Sequence, residues 1–536
     1  MHNSPSDSPK AIPWLDRIGN WNPQLLREIR GKLKLRNLIV AIGLSLLFQM
    51  LLLLFYSQRI PIQECYTQMR GFGCTPSWQV WWLEQFRFIT WTEPFILFFT
   101  GVYSLVADLS LEDYKGTLNF IRISPRSSIN VLMGKLMGVP LLTYLGIGLS
   151  LPYHLVSAIG ANVPIAFLCS FYILMIGTAF LLFSASLLLA LLSGWQAKFG
   201  GQVSAGALVF AFITFIWFAP AFMWWNIFTT WSSFSQVLVG GRIEPIHAEW
   251  WYLSITSNIW ASHAFTIVNL GIFSLAIWRI LQRRFHNPAS TLISKGQSYV
   301  VAVYVQILML GFCMQSSFMR ITSSNSSTIE FQLILLLLIY IPNCFLFLIA
   351  IAALTPQRQA LLDWVRFGAL VTNEGQPAGL GYIIRDLIWS DKSPAPIAIA
   401  LNLIFTQVLI LIWVNTWTAS EIRGKALIVL ASFVLTILIY SLIAQLILFL
   451  KTRNPSAWVT GTISALIFLP ILIMVSLSIN PDRYAGLWLF FGFPWLVISN
   501  IKFSDIILAF SAQISVIIAL TLQLIYQLQR ARMQDT

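Results

Sequence analysis

Chemistry in this chain has to come from few side chains, because its 536 residues include only 20 Asp and Glu together, 5 His and 5 Cys. No Gly-x-x-x-x-Gly-Lys-[Ser/Thr] run is present, so no backbone cradle for nucleotide phosphates is expected. His247-x-Glu249 offers two metal ligands where a zinc site needs three or four, and no further His or Cys stands beside them. No nucleophile, base and orienting residue can be grouped, which reads as a chain that is not an enzyme. Glu93, Asp108 and Asp505 are the acids nearest to apolar runs, each placed to reach an interface, while His154 and His263 fall at run ends. Midplane carboxylates of the kind that ion-coupled transporters use are therefore not expected. Cys65 and Cys74 share one short loop, where an oxidising compartment allows a disulfide and coincidence is the alternative. Cys169, Cys313 and Cys344 lie in apolar runs and read as small buried hydrophobes.

The elements carrying these residues follow from composition. The chain is 57% hydrophobic and 10% charged, against about 25% charged in a water-soluble domain, which excludes a soluble globular enzyme. A span needs about 20 apolar residues, and about twelve runs qualify. They are Leu38–Tyr56, Phe95–Ala107, Met137–Leu155, Ile165–Leu192, Ala207–Met223, Ala264–Ile280, Val300–Phe318, Leu333–Leu354, Ile397–Val414, Ala426–Leu450, Thr460–Leu477 and Ile506–Ile525. The fold class is thus all-α, a polytopic helical membrane bundle. The net charge of +13 is spread over short segments between spans rather than clustered on a nucleic-acid-binding module. Arg27, Arg30, Lys32, Lys34 and Arg36 precede the first span, and Lys115, Arg122, Arg126 and Lys135 follow the second. With both termini cytoplasmic, most basic residues fall inside, as topology rules require of a plasma (inner) membrane protein. The first span reads as retained rather than as a removable signal peptide.

Asn22-Pro23 opens a segment in which Leu25, Leu26, Ile29 and Leu33 share one helical face and the basic residues occupy the rest. Asn caps a helix and Pro suits its first turn, so residues 1–37 are expected to hold an interfacial amphipathic helix. Asn287-Pro288 recurs ahead of the seventh span. The repeat suggests an internal duplication, with one six-span half over 38–285 and a diverged second half over 286–536.

Between the second and third spans runs Leu111-Glu112-Asp113-Tyr114-Lys115-Gly116-Thr117-Leu118-Asn119-Phe120-Ile121-Arg122-Ile123-Ser124-Pro125, with Gly134-Lys135 ahead of the next span. It reads as a short helix exposing Glu112, Asp113 and Arg122, burying Leu118 and Ile121, and stopped by Ser124-Pro125. An acidic residue, then Gly-Thr-Leu, Ser-Pro and Gly-Lys ahead of a span resembles the permease subunits of type-2 ABC exporters. The resemblance implies that Glu112, Asp113, Gly116, Thr117, Arg122, Ser124 and Pro125 form a coupling segment for a separate ATP-binding subunit. It also implies that the basic entry helix is a connecting helix, and that Asn226 to Trp260 resembles a re-entrant segment.

The second half departs from that pattern. It places Asp363 and Arg366, then Arg385 and Asp386, between the eighth and ninth spans, and its Ser393-Pro394 stands where Ser124-Pro125 stands in the first half. These are the candidates for a second docking surface. The resulting expectation is the membrane subunit of an ATP-driven exporter that binds no cofactor itself. Its partners would be membrane lipid, an unidentified substrate and an ABC ATP-binding subunit at two copies per chain, which hydrolyses the ATP. The alternatives are an ion-gradient-driven secondary transporter and a non-transporting membrane scaffold.

Overall fold

The computed structural model describes residues 13–58, 63–68, 71–76, 78–123, 125–192, 203–231, 248–256, 258–288, 290–315, 328–367, 380–417, 419–452, 454–498 and 501–533. Twelve of its helices are long and apolar enough to cross a bilayer, one for each expected run. The protein is an all-α, integral, multi-pass membrane protein. In the bilayer core every backbone polar group must be satisfied within the chain, which leaves the helix as the solution for apolar runs of this length.

The chain separates into two compact units, residues Met1–Ala248 with Ser254–His286 and residues Glu249–Leu253 with Asn287–Thr536. Two helices, α1 (Pro13–Trp21) and α2 (Pro23–Lys32), open the first. The first three spans of this unit are α3 (Leu35–Ser57), α4 (Trp78–Tyr114) and α7 (Leu141–Gly160), with the short helices α5 (Thr117–Ile123) and α6 (Ser128–Gly138) between α4 and α7. The fourth is α8 (Ile165–Leu192), the fifth joins α9 (Val203–Ile213) to α10 (Ala219–Trp225) through a π-helical turn, and the sixth is α11 (Ile259–His286). Two strands, β1 (Gln63–Gln68) and β2 (Gly71–Pro76), pair antiparallel between α3 and α4.

The second unit contains α12 (Lys295–Cys313), α13 (Thr328–Leu354), the short α14 (Arg358–Phe367) and α15 (Leu380–Trp389), then α16 (Ala395–Asn415), α17 (Ser420–Phe449), α18 (Pro455–Ser476), the short α19 (Ala485–Phe490) and α20 (Phe503–Met533). Numbered within its unit, the first span packs on the third, the second on the third and fourth, and the fourth on the sixth, in both units. The fifth span breaks the parallel, because it lies on the second span in one unit and on the fourth in the other.

Burial follows the same logic in each span. Phe98, Val102, Leu132, Phe171 and Leu187 are fully buried in the first unit, whereas Leu44, Leu47 and Leu51 of α3 are exposed. For a membrane protein such outward leucines are the lipid-facing surface rather than a defect.

Candidate functional site

The site begins with the entry helix. Asn22 Oδ1 accepts the Leu25 N–H at 2.9 Å, capping α2, and Pro23 occupies its first turn. The other end of the same amide donates from Nδ2 to the carbonyl of Asn130 at 2.7 Å, fastening the cap to α6. Helix α6 is itself capped by Ser127, whose Oγ accepts the Asn130 N–H at 3.3 Å. The two helices touch at Gly134 and Gly138, where a Cβ would lie 2.7 Å from Asn22 Oδ1 and 2.5 Å from Glu28 Cβ, respectively. Glycine at these two positions is what permits so close an approach.

That approach brings Glu28 to Lys135, which lies between the glycines and is fully buried. The Lys135 ammonium is 2.6 Å from Asp108 Oδ2, 2.9 Å from Glu112 Oε2 and 3.4 Å from Glu28 Oε1. Arg27, half exposed, pairs with Glu28 at 3.2 Å and with Glu112. Burial works against the charge on Lys135, but Asp108, Glu28 and Glu112 outweigh it and raise the amine above its usual lysine value. Oxygens of the three acids lie within 4.8 Å of one another, a spacing that would also suit a metal ion. Here the lysine ammonium supplies the central cation. The node ties α2, the end of α4, and α6 into one body.

Of the residues expected to form a coupling segment, the structure turns several inward. Glu112 belongs to the node, and Asp113 lies 3.9 Å from Arg122 Nη1. Arg122 also donates to Asn119 Oδ1 at 3.1 Å and sits over the Phe285 ring of α11 at 5.8 Å. Burial lowers the Arg122 pKa, with Asp113 opposing it. The expectation that Glu112, Asp113 and Arg122 are exposed is therefore corrected, since ion pairing leaves all three only partly exposed. Gly116 takes a positive φ of 73° at the α4–α5 corner, a conformation glycine adopts without strain. Thr117 Oγ1 donates to the Glu112 carbonyl at 3.1 Å, closing the same corner. Leu118 is fully buried as expected, and Ile121 half-buried. Pro125 is exposed, and Ser124 lies outside the described residues. Beside the exposed Lys115, Thr117 and Asn119, the segment presents two large apolar groups outward, Phe120 78% and Ile123 83% exposed. A groove of about 360 Å³ runs beside Phe120, lined also by Gln24, Arg27, Arg126 and Asn130.

The second unit has its own buried lysine. Lys295 Nζ donates to the Leu387 carbonyl at 2.7 Å, to Ser393 Oγ at 2.6 Å and to the Pro394 carbonyl at 3.2 Å. Its backbone N–H reaches Asp391 Oδ1 at 3.2 Å. Asp386 accepts from Trp364 Nε1 through its carboxylate and from Ser393 Oγ at 3.0 Å through its carbonyl. Asp363 is 3.8 Å from Lys392, while Arg366 and Arg385 are exposed.

Three further placements bear on function. In the β1–β2 ladder Cys65 stands opposite Cys74, and the side chains of both lie outside the described residues. His247, and residues 232–247 of the stretch compared with a re-entrant segment, also lie outside them. Glu93, read as able to reach an interface, and His154, read as an interfacial or hydrogen-bonded helix-end residue, are both hydrogen-bonded inside the first unit. Glu93 lies fifteen residues, roughly 22 Å of helix, from Asp108 along α4, and both Glu93 and His154 are buried within their spans. Glu93 accepts from Ser150 Oγ at 2.5 Å and from the Tyr172 hydroxyl at 2.9 Å.

Sequence reasoning missed Glu28 and the central part played by Lys135. The available signals were an acid at position 28, on the same helical face as Leu25 and Ile29, and a lysine enclosed by Gly134 and Gly138. No protein-family model, curated protein or solved structure matches the chain.

Proposed function

We propose that this protein is the transmembrane permease subunit of an ATP-driven transporter of the type-2 ABC exporter kind, energised by separate ATP-binding subunits. In this reading the protein sits in the plasma (inner) membrane with both termini in the cytoplasm, and binds one ATPase at each half. Six-span halves that arose by duplication account for the span contacts shared by the two units. The observation that carries the reading is the Lys135 node together with the apolar surface of α5. A partner seated on Phe120 and Ile123 would push a helix that is joined by a single glycine corner to α4 and braced through Arg122 against α11. The node would pass that displacement to α2 and α6 as one rigid body, and α6 leads directly into α7. Interfaces are anchored by a few large apolar or Arg side chains, and the exposed Phe and Ile fit such a part.

The test is purification of the tagged chain with native lipids and quantification of co-purifying ATPase. Wild type is expected to retain a cassette ATPase, and Phe120→Asp with Ile123→Asp to lose most of it without a change in the chain's own melting temperature. Full retention by that double variant would remove α5 from the docking surface, and no ATPase with wild type would remove the reading. A second reading, ion-gradient-driven transport, is favoured by the buried Glu93 and His154. It predicts transport by the purified chain without ATP that stops when the gradient is collapsed.

A further inference from the structure

A cleft of about 580 Å³ lies between α3, α4 and α7 of the first unit. It opens at Arg36 and Asn37, runs along Leu44 and Ile96, and ends at Glu93 and Ser150. From Arg36 to Phe48 on α3 it follows twelve residues of helix, roughly 18 Å. The lining holds one acid, Glu93, and one base, Arg36, at opposite ends. Leu44 and its neighbours on α3 are otherwise exposed to lipid, so the cleft can be entered from the bilayer.

Behind Glu93 stands a chain of groups able to hold one proton in two places. Thr90 Oγ1 donates to the Phe86 carbonyl at 2.8 Å, so it accepts from His154 Nε2 at 3.0 Å. The Tyr172 hydroxyl lies 2.9 Å from Glu93 Oε2 and 2.9 Å from His154 Nδ1, with one proton to give. In one arrangement protonated Glu93 donates to Tyr172 and Tyr172 donates to neutral His154. In the other, Tyr172 donates to the Glu93 carboxylate and accepts from an imidazolium. Every one of these contacts is satisfied in both. Conversion breaks the Glu93 O–H bond, gives that proton to the Tyr172 oxygen, and sends the Tyr172 proton to Nδ1, with no heavy atom moved. His154 and Tyr172 are the titratable groups facing Glu93 from α7 and α8. The fifth span carries no titratable residue, and α3 carries only Arg36 and Tyr56.

A buried carboxyl at the end of an apolar cleft that can ionise while its proton stays within the protein is suited to a ligand that brings its own positive charge on an apolar body. We propose that this cleft binds a cationic amphiphile, a protonated or quaternary amine on an alkyl chain, with its charged head against Glu93 and its chain along α3. Arrival of the cation would shift the proton from Glu93 to His154, leaving a carboxylate paired with the ligand. The ligand, like the cleft, is independent of whether an ATPase drives the chain.

The full chain in phosphatidylcholine nanodiscs is titrated with dodecyltrimethylammonium and with dodecyl sulfate, which share one alkyl chain, each below its micelle concentration. The ammonium probe is expected to bind at least about tenfold tighter than the sulfate, and Glu93→Gln to erase that preference. Gly146 lines the cleft, and a Cβ added there would meet nothing within 4 Å, so Gly146→Leu should block the ammonium probe while leaving Glu93 and its partners in place. This second variant keeps the test decisive should Glu93→Gln fold poorly. Equal affinity for both probes, a preference that survives Glu93→Gln, or undiminished binding to Gly146→Leu would overturn the proposal. So would tighter binding of the sulfate that Arg36→Gln abolishes, which would make this an anionic amphiphile site instead.

Discussion

Among the described residues each unit buries one lysine ahead of a span, and the two are solvated differently. Lys135 is surrounded by the carboxylates of Asp108, Glu112 and Glu28. Lys295 is held by two backbone carbonyls and a hydroxyl. A buried charge must be compensated in either case. The first solution draws its partners from distant elements, since Glu28 and Lys135 are separated by 107 positions. The second draws two of its three acceptors from the short turn before α16. Ion pairing therefore makes the first lysine a junction of α2, α4 and α6, whereas carbonyl dipoles make the second a fastening of α12 to a single corner. On the proposed function the halves would be unequal, with long-range coupling concentrated in the first.

The largest effect should come from Lys135→Met, which leaves the buried Glu28 and the partly buried Asp108 and Glu112 facing each other without the cation between them. Removing one member of a buried ion cluster typically costs about 3–5 kcal/mol, read as a fall in thermal midpoint in detergent. Adding Asp108→Asn and Glu112→Gln should recover part of that loss, because the damage is uncompensated charge rather than lost volume. The alkaline limb sharpens the point. The lysine's folded-state pKa is raised above its ordinary 10.5, so its stabilisation is complete below that value and fades as pH rises through the raised one. Wild type should hence show no loss from this group between neutral pH and about pH 10, by a melting series against pH.

Lys295→Met should cost less, about 1–3 kcal/mol, since the ammonium's direct acceptors are neutral and the nearby Asp391 and Asp386 carboxylates keep donors of their own, the backbone N–H at 295 and Trp364 Nε1. No carboxylate-neutralising second change should rescue it. A loss equal to that of Lys135→Met, or rescue by Asp391→Asn, would dissolve the contrast between the two lysines.

The spans were legible because hydropathy is a property of consecutive residues, and a helix needs nothing else to be recognised in lipid. What hydropathy did not report was helix boundaries and the direction in which side chains face. The run Met137–Leu155 crosses Val139-Pro140, where the structure ends α6 and begins α7 at Leu141. That offset carries His154 from a run end into the bundle. Gln85, Arg87 and Glu93 interrupt the hydropathy of α4 but not its backbone hydrogen bonding, so the helix is much longer than Phe95–Ala107. The segment between α4 and α6 was singled out by residue types, and Leu118 is buried as expected. The inward turn of Glu112 depends on Lys135 and Arg27 arriving from elsewhere in the chain, which no local pattern reports.

A third change probes the contact that builds the first junction. Gly138→Leu would drive a side chain into Glu28 Cβ, 2.5 Å from where its own Cβ must sit. Overpacking of this kind costs about 1–3 kcal/mol, and the strain is relieved most readily by lifting α2. Limited proteolysis after Arg27 or Arg30 should then accelerate several-fold, with the spans still folded. Unchanged cleavage would mean that α2 is retained by something other than α6.

The smallest effect is expected at Arg27, the second cation of the node. Its side chain is 50% exposed and pairs with both Glu28 and Glu112, so water can replace much of what it supplies. Exposed pairs contribute about 0–1 kcal/mol and weaken with salt. Arg27→Ala should therefore lower the melting midpoint slightly at low ionic strength and negligibly in high salt, whereas Lys135→Met should be almost insensitive to salt because its ammonium is shielded from solvent. A salt-independent loss at Arg27 as large as that at Lys135 would show that the two cations act as one unit. The junction would then be a shared network of two cations rather than a buried lysine with a peripheral arginine, and the contrast with the single lysine of the second unit would rest on the number of cations instead of on the kind of partner.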